Sequence, residues 1–494
     1  MTNPRPPRQN PRQNPRRNAG APSANRAPGD RKPPPQKRRT KPLDPARQAA
    51  FDVLRAVATR DAYANLALPA LLRERGIEGR DAAFATELTY GTLRALGLLD
   101  AVIANAAGRK TDTIDPVLLD LLRLGTYQLL RTRVEPHAAV STTVEQAKAE
   151  FDTARAGFVN AVLRKITSKD ADEWMAELAP DPSADPVGHA AFIHAHPRWI
   201  AQAFVDALGA QAGELDAVLA ADDARPMVHL TALPTRLTAA ELAEQVSGEV
   251  GRYSPYAVYL PGGAPGQLAA MRSGAALVQD EGSQLVAQAL TRAPVSGTDN
   301  GRWLDLCSGP GGKTALIAAI GASRGAKVTA VEPVDTRADL VEANTRGLDV
   351  AVLRRDGRSS AADGDGVPEL SPGFDRVLVD APCTGLGALR RRPEARWRRQ
   401  PSDVAPLTRL QRELLSSAIA LTRPGGVVLY STCSPHLAET VGVVADIRRR
   451  HDVTVLDARE LFEPVPDLGA GPYVQLWPHR HGTDAMFAAA LQVG

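Results

Sequence analysis

From Gly301 onward the chain alternates short apolar runs with longer amphipathic stretches, and most of the runs end in a glycine turn or an acidic residue. Alternation of this kind calls for a parallel sheet with helices on both faces. The first run, Arg302–Leu306, enters Cys307-Ser308-Gly309-Pro310-Gly311-Gly312-Lys313-Thr314 and then a helix over Ala315–Ile320. Further strands are expected at Lys327–Val331, Val350–Leu353, Arg376–Val379 and Val427–Tyr430. A helix carrying Leu410, Leu414 and Ile419 should separate the last two. Open sheets of this type bind ligands beyond the carboxyl ends of their strands, so chemistry is expected where the runs stop.

Two common phosphate loops fail the test. A Walker loop would need glycine where Cys307 stands, and a dinucleotide fingerprint would need glycine at Thr314. What remains is a glycine turn after a first strand, where backbone approaches a ligand closely. Glu332, about 20 residues beyond the turn, suits a ribose diol. Asp356 stands where a short acceptor meets an adenine amino group. The fourth run ends in Asp380-Ala381-Pro382-Cys383-Thr384-Gly385, and the fifth in Ser431-Thr432-Cys433-Ser434. If those strands are parallel neighbours, about 4.8 Å apart, both thiols lie on the sheet edge beside the cofactor. A lone cysteine is ordinarily a small buried hydrophobe. Two at adjacent strand ends point instead to covalent catalysis, although geometry alone does not say which one attacks.

The chain of 494 residues has three cysteines, which excludes a disulfide framework and argues against structural zinc; no metal is expected. No run approaches the length of a membrane span and no secretory leader is visible, so a cytoplasmic protein without membrane contact is expected. The formal charge of +3 conceals a split: residues 1–41 carry +11, and the rest carries −8. Residues 1–43, rich in proline and arginine, read as a disordered arm, either an electrostatic tether for nucleic acid or a solubilising tail. Residues 44–170 show helical periodicity, as in Ala50, Val53, Leu54 and Val57, with Asp115-Pro116 opening a helix along Leu118, Leu121, Leu122 and Leu129. Residues 171–190 read as a linker. Residues 190–290 read as a small α+β, substrate-presenting domain with strands at Met227–Thr231 and Ala257–Leu260, and residues 291–494 as the catalytic domain. A body of −8 cannot attract RNA through its mean field. Positive charge is concentrated after the Cys383 loop, in Arg390, Arg391, Arg392, Arg396, Arg398 and Arg399 around Trp397. This run is expected to bind RNA, by arginine forks on phosphate and an aromatic on a splayed base.

The ordered set Val278-Gln279-Asp280-Glu281-Gly282-Ser283-Gln284, CSGPGGKT, VDAPCTG, STCS and Leu476-Trp477-Pro478-His479-Arg480…Thr483-Asp484 resembles the Sun/RsmB-type bacterial RNA (cytosine-C5) methyltransferases. Arg80-Asp81-Ala82-Ala83-Phe84, Tyr90-Gly91-Thr92-Leu93-Arg94 and Val159-Asn160-Ala161-Val162-Leu163-Arg164 resemble the NusB-like RNA-binding domain, where Arg94, Arg109, Lys110, Arg164 and Lys165 could meet phosphates. The resemblance implies an all-α bundle, a small α+β domain and a Rossmann-like class I methyltransferase domain, acting as a monomer on RNA, 16S ribosomal RNA foremost. It implies S-adenosyl-L-methionine held by Cys307, Ser308, Gly309, Pro310, Gly311, Gly312, Lys313, Glu332, Asp356 and Asp380. It makes Cys433 the nucleophile that adds to cytosine C6, Cys383 the C5 base, and Asp380 the partner of the cytosine edge. Lys313 would orient Asp380 or polarise the base. Cys307 would contribute backbone rather than sulfur. Three positions depart from or test the pattern: Ala485 stands where glycine is usual, Thr440 where asparagine is usual, and Glu439 keeps the acidic site. The rivals are a tRNA or DNA cytosine-C5 methyltransferase, in the DNA case with the Pro-Cys thiol attacking, and a non-enzymatic NusB-like antitermination factor.

Overall fold

The computed structural model describes residues 43–358 and 368–494, so the basic arm, apart from Leu43, lies outside the described residues. The chain begins with seven long helices: Pro45–Arg60, Ala64–Glu74, Gly79–Arg94, Leu96–Ala107, Pro116–Arg131, Pro136–Glu150 and Thr153–Ile166. Local chemistry starts several of them. Asp44 accepts the Arg47 N–H at 2.9 Å, and Asp115 accepts those of Val117 and Leu118 ahead of the Leu118–Leu122 stripe. Their apolar faces close over one core that includes Leu54, Leu88, Leu99, Leu121, Val159 and Ile166.

The linker expected at residues 171–190 is instead structured. Asp170 and Glu173 form a reciprocal capping box, and Ala171–Leu178 is a helix. Its Trp174 is buried in the helical core with the indole N–H on the Ile166 carbonyl at 3.0 Å. Helix Pro186–Ile193 follows at once. Acidic and small residues resemble a linker in composition, but one capping box and one anchoring indole are enough to fold them.

Helices Arg198–Leu208 and Leu215–Asp223 lead to a small antiparallel sheet of β1 (Val228–Ala232), β2 (Glu249–Val250), β3 (Ala257–Leu260) and β4 (Ala276–Val278), in the order β2-β3-β1-β4. In register, Leu230 of β1 sits between Val258 and Val278. Strand β4 passes into helix Glu281–Arg292, whose Leu285, Val286 and Leu290 share a core with Trp303, Leu316 and Ile317.

The large sheet contains β5 (Arg302–Asp305), β6 (Lys327–Val331), β7 (Val350–Leu353), β8 (Phe374–Asp380), β9 (Thr422–Thr432), β10 (Val453–Leu456), β11 (Val474–Gln475) and β12 (Phe487–Val493). Its order is β10-β12-β9-β8-β5-β6-β7, with β11 also on β12. The run β9-β8-β5-β6-β7 is parallel, and β12 is antiparallel to β9 and β10. This is the Rossmann-like α/β arrangement expected. All five strands expected from the alternation are present, whereas β10 to β12 carry no such signal. The center of β12 is Ala488-Ala489-Ala490, poor strand formers that are buried only because neighbouring strands enclose them. Strand order reverses between β5 and β8, and the crevice beyond that switch point is where a ligand binds.

Candidate active site

The loop after β5 is built for close approach. Gly311 has φ 104° at the N-terminus of helix Gly312–Gly321, and a Cβ there would lie 2.8 Å from Val341 Cα. A Cβ on Gly309 would fall 2.2 Å from Glu332 Oε2, because that carboxylate, at the end of β6, takes the Gly309 N–H at 3.2 Å. Arg337 donates to the Gly309 carbonyl and Asn344 to that of Pro310 (2.7 and 2.9 Å). Ser308 bonds back to Val331. Asp305 is buried under the loop and accepts from Thr314 at 2.7 Å; burial pushes its carboxyl up to about 6. Burial likewise pushes the Cys307 thiol well up, which suits a backbone role and not a nucleophilic one. Glu332, Asp356 and Asp380 stand at or just past the ends of β6, β7 and β8, with Asp356 held by Arg358.

Strands β8 and β9 are parallel neighbours, with Asp380 opposite Ser431. Their exits bring Cys383 Sγ within 3.4 Å of Cys433 Sγ. The two thiols are shifted in opposite directions. A hydrogen bond from Cys383 lowers the Cys433 pKa, helped by Lys313 and Arg392 and opposed by burial and Asp380. Donating that bond to Cys433 raises Cys383 well above an ordinary thiol, and burial adds to the effect. The contact therefore favours ionisation of Cys433 over that of Cys383. Lys313 Nζ meets Asp380 Oδ2 at 2.7 Å, and Ser431 donates to Oδ1 at 2.8 Å. Burial opposes the Lys313 charge, but Asp380 holds its pKa above the usual lysine value.

Glu439 braces both thiol loops. It is fully buried and accepts from the Thr384 N–H (2.8 Å), the Thr384 hydroxyl, Ser434 Oγ (2.7 Å) and Gln411 Nε2 (3.1 Å). Gly387 donates to the Cys433 carbonyl and accepts from Ala485, both at 2.9 Å; a Cβ on Gly387 would lie 1.9 Å from Ala485 O. Ser431 and Gln411 were missed in the sequence as positioning residues. The signal for Ser431 was present in the STCS motif; Gln411 sits unmarked in a long helix.

The arginine run requires correction. Arg390 is buried: its Nε meets Asp484 (2.7 Å) and its Nη2 meets Asp280 (3.1 Å). Arg391 bridges the same two carboxylates, at 2.7 and 3.0 Å. Despite burial, Arg391, His229 and Arg390 hold Asp280 well below the usual carboxylate range. Arg396 is wholly buried, bonded to Asp222, Asp223 and the Ala195 carbonyl. Trp397 donates to the Leu93 carbonyl at 2.8 Å and packs on Gly97, where a Cβ would lie 2.3 Å from the indole. Arg390 and Arg396 thus have no surface to offer RNA, and Arg391 is largely spent on carboxylates. The carboxylate partners of Arg390 and Arg396 lie 94 to 174 positions away in sequence, where a charge run cannot reveal them. Of the four arginines proposed for RNA, only Arg392 is exposed. Arg398 caps the end of helix Pro45–Arg60 through the Val57 carbonyl (2.7 Å), and Glu394 receives the Ala64 N–H (3.4 Å) at the start of the next helix. In the helical bundle, Arg109 stacks on Phe158 and Lys165 bonds the Asn105 carbonyl.

With that geometry in place, known proteins can be compared. The profile of 16S rRNA methyltransferase RsmB/F matches residues 293–492, and that of the NusB family residues 44–168. A Mycobacterium tuberculosis protein, named only as a methyltransferase, is 74% identical over 455 residues, covering 92% of this chain and 98% of that one. Ribosomal RNA small subunit methyltransferase B of Erwinia tasmaniensis is 32% identical over 460 residues, covering 90% of this chain and 97% of its own. This chain belongs to the RsmB/F methyltransferase family. The crystal structure of PH0851, at 22% identity, superposes with a TM-score of 0.75 over 92% of this chain and 99% of that one, and so shares the fold. The cofactor of this RsmB/F-family chain is S-adenosyl-L-methionine. The donor set fits it: the ribose diol, the adenine amino group and the methionine ammonium all donate hydrogen bonds, and the crevice supplies carboxylates at three strand ends beside a glycine loop.

Proposed function

We propose that this methyltransferase modifies C5 of a cytosine in RNA, foremost in small-subunit ribosomal RNA, through a covalent cysteine adduct. One observation carries the reading: two thiols 3.4 Å apart at the exits of neighbouring parallel strands, beside a Lys313–Asp380 pair. Cytosine C5 is a weak nucleophile. The Cys433 thiolate adds to C6, forming a C–S bond and making C5 enamine-like. N3 takes a proton from solvent as the C–S bond forms and returns it when the thiolate leaves; Asp380, paired with Lys313 and oriented by Ser431, accepts a hydrogen bond from that N3–H. S-adenosyl-L-methionine supplies an electrophilic methyl group for C5. As a thioether, Cys433 no longer carries the charge that raised Cys383. Cys383 can then lose its proton to solvent and remove the C5 hydrogen. The C5=C6 bond reforms and Cys433 departs as thiolate. Small-subunit rRNA is favoured over tRNA or DNA by the name of the Erwinia tasmaniensis relative.

The test uses two variants and in-vitro transcribed small-subunit rRNA. Cys433→Ala should abolish both methylation and adduct. Cys383→Ala should accumulate a protein–RNA adduct that resists denaturing gels. Full activity in Cys433→Ala would overturn the nucleophile assignment.

A further inference from the structure

Most of the arginine run that was to hold RNA is spent on buried carboxylates and Arg398 on the first helices, whereas Arg392 stays exposed near the thiols. Arg398 and Glu394 cap two successive helices, Pro45–Arg60 and Ala64–Glu74, and so fix the short connection Asp61-Ala62-Tyr63 against the loop that follows Cys383. Tyr63 ends this connection half exposed, at 50%, with Leu66, at 68%, one turn further along the helix. The Arg392 and Arg398 guanidiniums each lie 5.9 Å from the Tyr63 ring center. Arg392 is exposed and, among the described residues, pairs with no carboxylate. Arg399 donates to the Thr384 carbonyl, immediately after Cys383. The Arg392 charge also reaches Cys433 and lowers its pKa. The exposed Arg392 guanidinium thus stands between an aromatic ring, which it contacts, and the Cys433 thiol, which its charge reaches.

We propose that Tyr63 and Arg392 receive a nucleotide flanking the target cytosine, its base stacked on the tyrosine ring and its phosphate on the guanidinium. Stacking accepts any base, because every base has a π-face, and an arginine fork suits phosphate. The helical domain thereby contributes directly to substrate placement, through a residue held there by the catalytic domain. This rests on RNA being the substrate, as proposed above.

The test measures two quantities separately on the full chain: affinity for fluorescent small-subunit rRNA fragments by anisotropy, and 5-methylcytosine formed from labelled S-adenosyl-L-methionine. Tyr63→Ala should weaken RNA binding about tenfold, Tyr63→Phe should restore it, and Tyr63→Leu, which keeps bulk without a π-face, should not. Arg392→Ala should make the plot of log affinity against log salt shallower by about 0.7, one single-strand phosphate contact. If Tyr63→Ala binds as the wild type does, or Tyr63→Leu binds as well as Tyr63→Phe, the stacking assignment is overturned. If the wild type binds RNA with this Tyr63 dependence but forms no 5-methylcytosine, the proposed reaction fails while the binding surface stands.

Discussion

Two cysteines of the same type are shifted in opposite directions by the contact between them. The Cys433 thiol is lowered and the Cys383 thiol is raised across their 3.4 Å contact. If Cys433 is the nucleophile, kcat/KM rises with pH as its thiol ionises, and that rise should lie below the value of about 8.5 for a free thiol. Lys313→Met removes a cation that lowers Cys433 and frees Asp380, which raises it. Both effects have the same sign, so the rise should move to higher pH by about one unit; an unmoved profile would remove Lys313 from the thiol's surroundings. Glu439 is the other decisive single residue. Glu439→Gln replaces an anion that takes four donors with a neutral amide, and should cost about 2 kcal/mol of stability, read by thermal unfolding. It should also lower turnover, because both thiol loops hang from it. The two cysteines and Glu439 could be picked out by position in the sequence. The opposite shifts of the two thiols could not, since they depend on a 3.4 Å contact between residues 50 positions apart.

At the scale of elements, the segment 390–399 is a clamp. Arg390 and Arg391 join the Asp280 motif to the Asp484 motif, and Arg396 joins the Asp222 helix end to the catalytic loop. Removing one member of a buried pair strands the other charge. Arg396→Ala should therefore cost about 3–5 kcal/mol in urea unfolding, whereas a solvated phosphate-binding arginine would cost almost nothing. Gly97→Val should push the Trp397 indole out of its seat, costing about 2 kcal/mol and exposing the junction to limited proteolysis near residue 95. Strands β5, β6, β8 and β9 were legible because largely buried parallel strands read as plain apolar runs, and the half-buried edge strand β7 keeps the same apolar pattern. Helix Ala171–Leu178 and strand β12 were not. The first depends on a capping box and one indole, the second on partners that bury alanines.

Across the whole molecule, charge is divided between a +11 arm and a −8 remainder. Deleting residues 1–42 should leave the thermal midpoint unchanged while making the salt dependence of RNA binding shallower, if the arm tethers nucleic acid. An unchanged slope would leave the arm as a solubilising tail. The helical, small mixed and catalytic parts meet around the clamp, which sets Tyr63 of the first part beside Arg392 of the last.

The sequence alone determined the five parallel strands, the glycine loop, the strand-end carboxylates and the placing of two thiols at strand ends. These depend on strand alternation and on what lies at a strand's end, which are local properties. Tertiary structure alone decided which arginines are free. A guanidinium is the same residue whether it meets phosphate or a buried aspartate. Only the fold brings Asp222, Asp280 and Asp484 to Arg396, Arg390 and Arg391, and leaves Arg392 beside Tyr63.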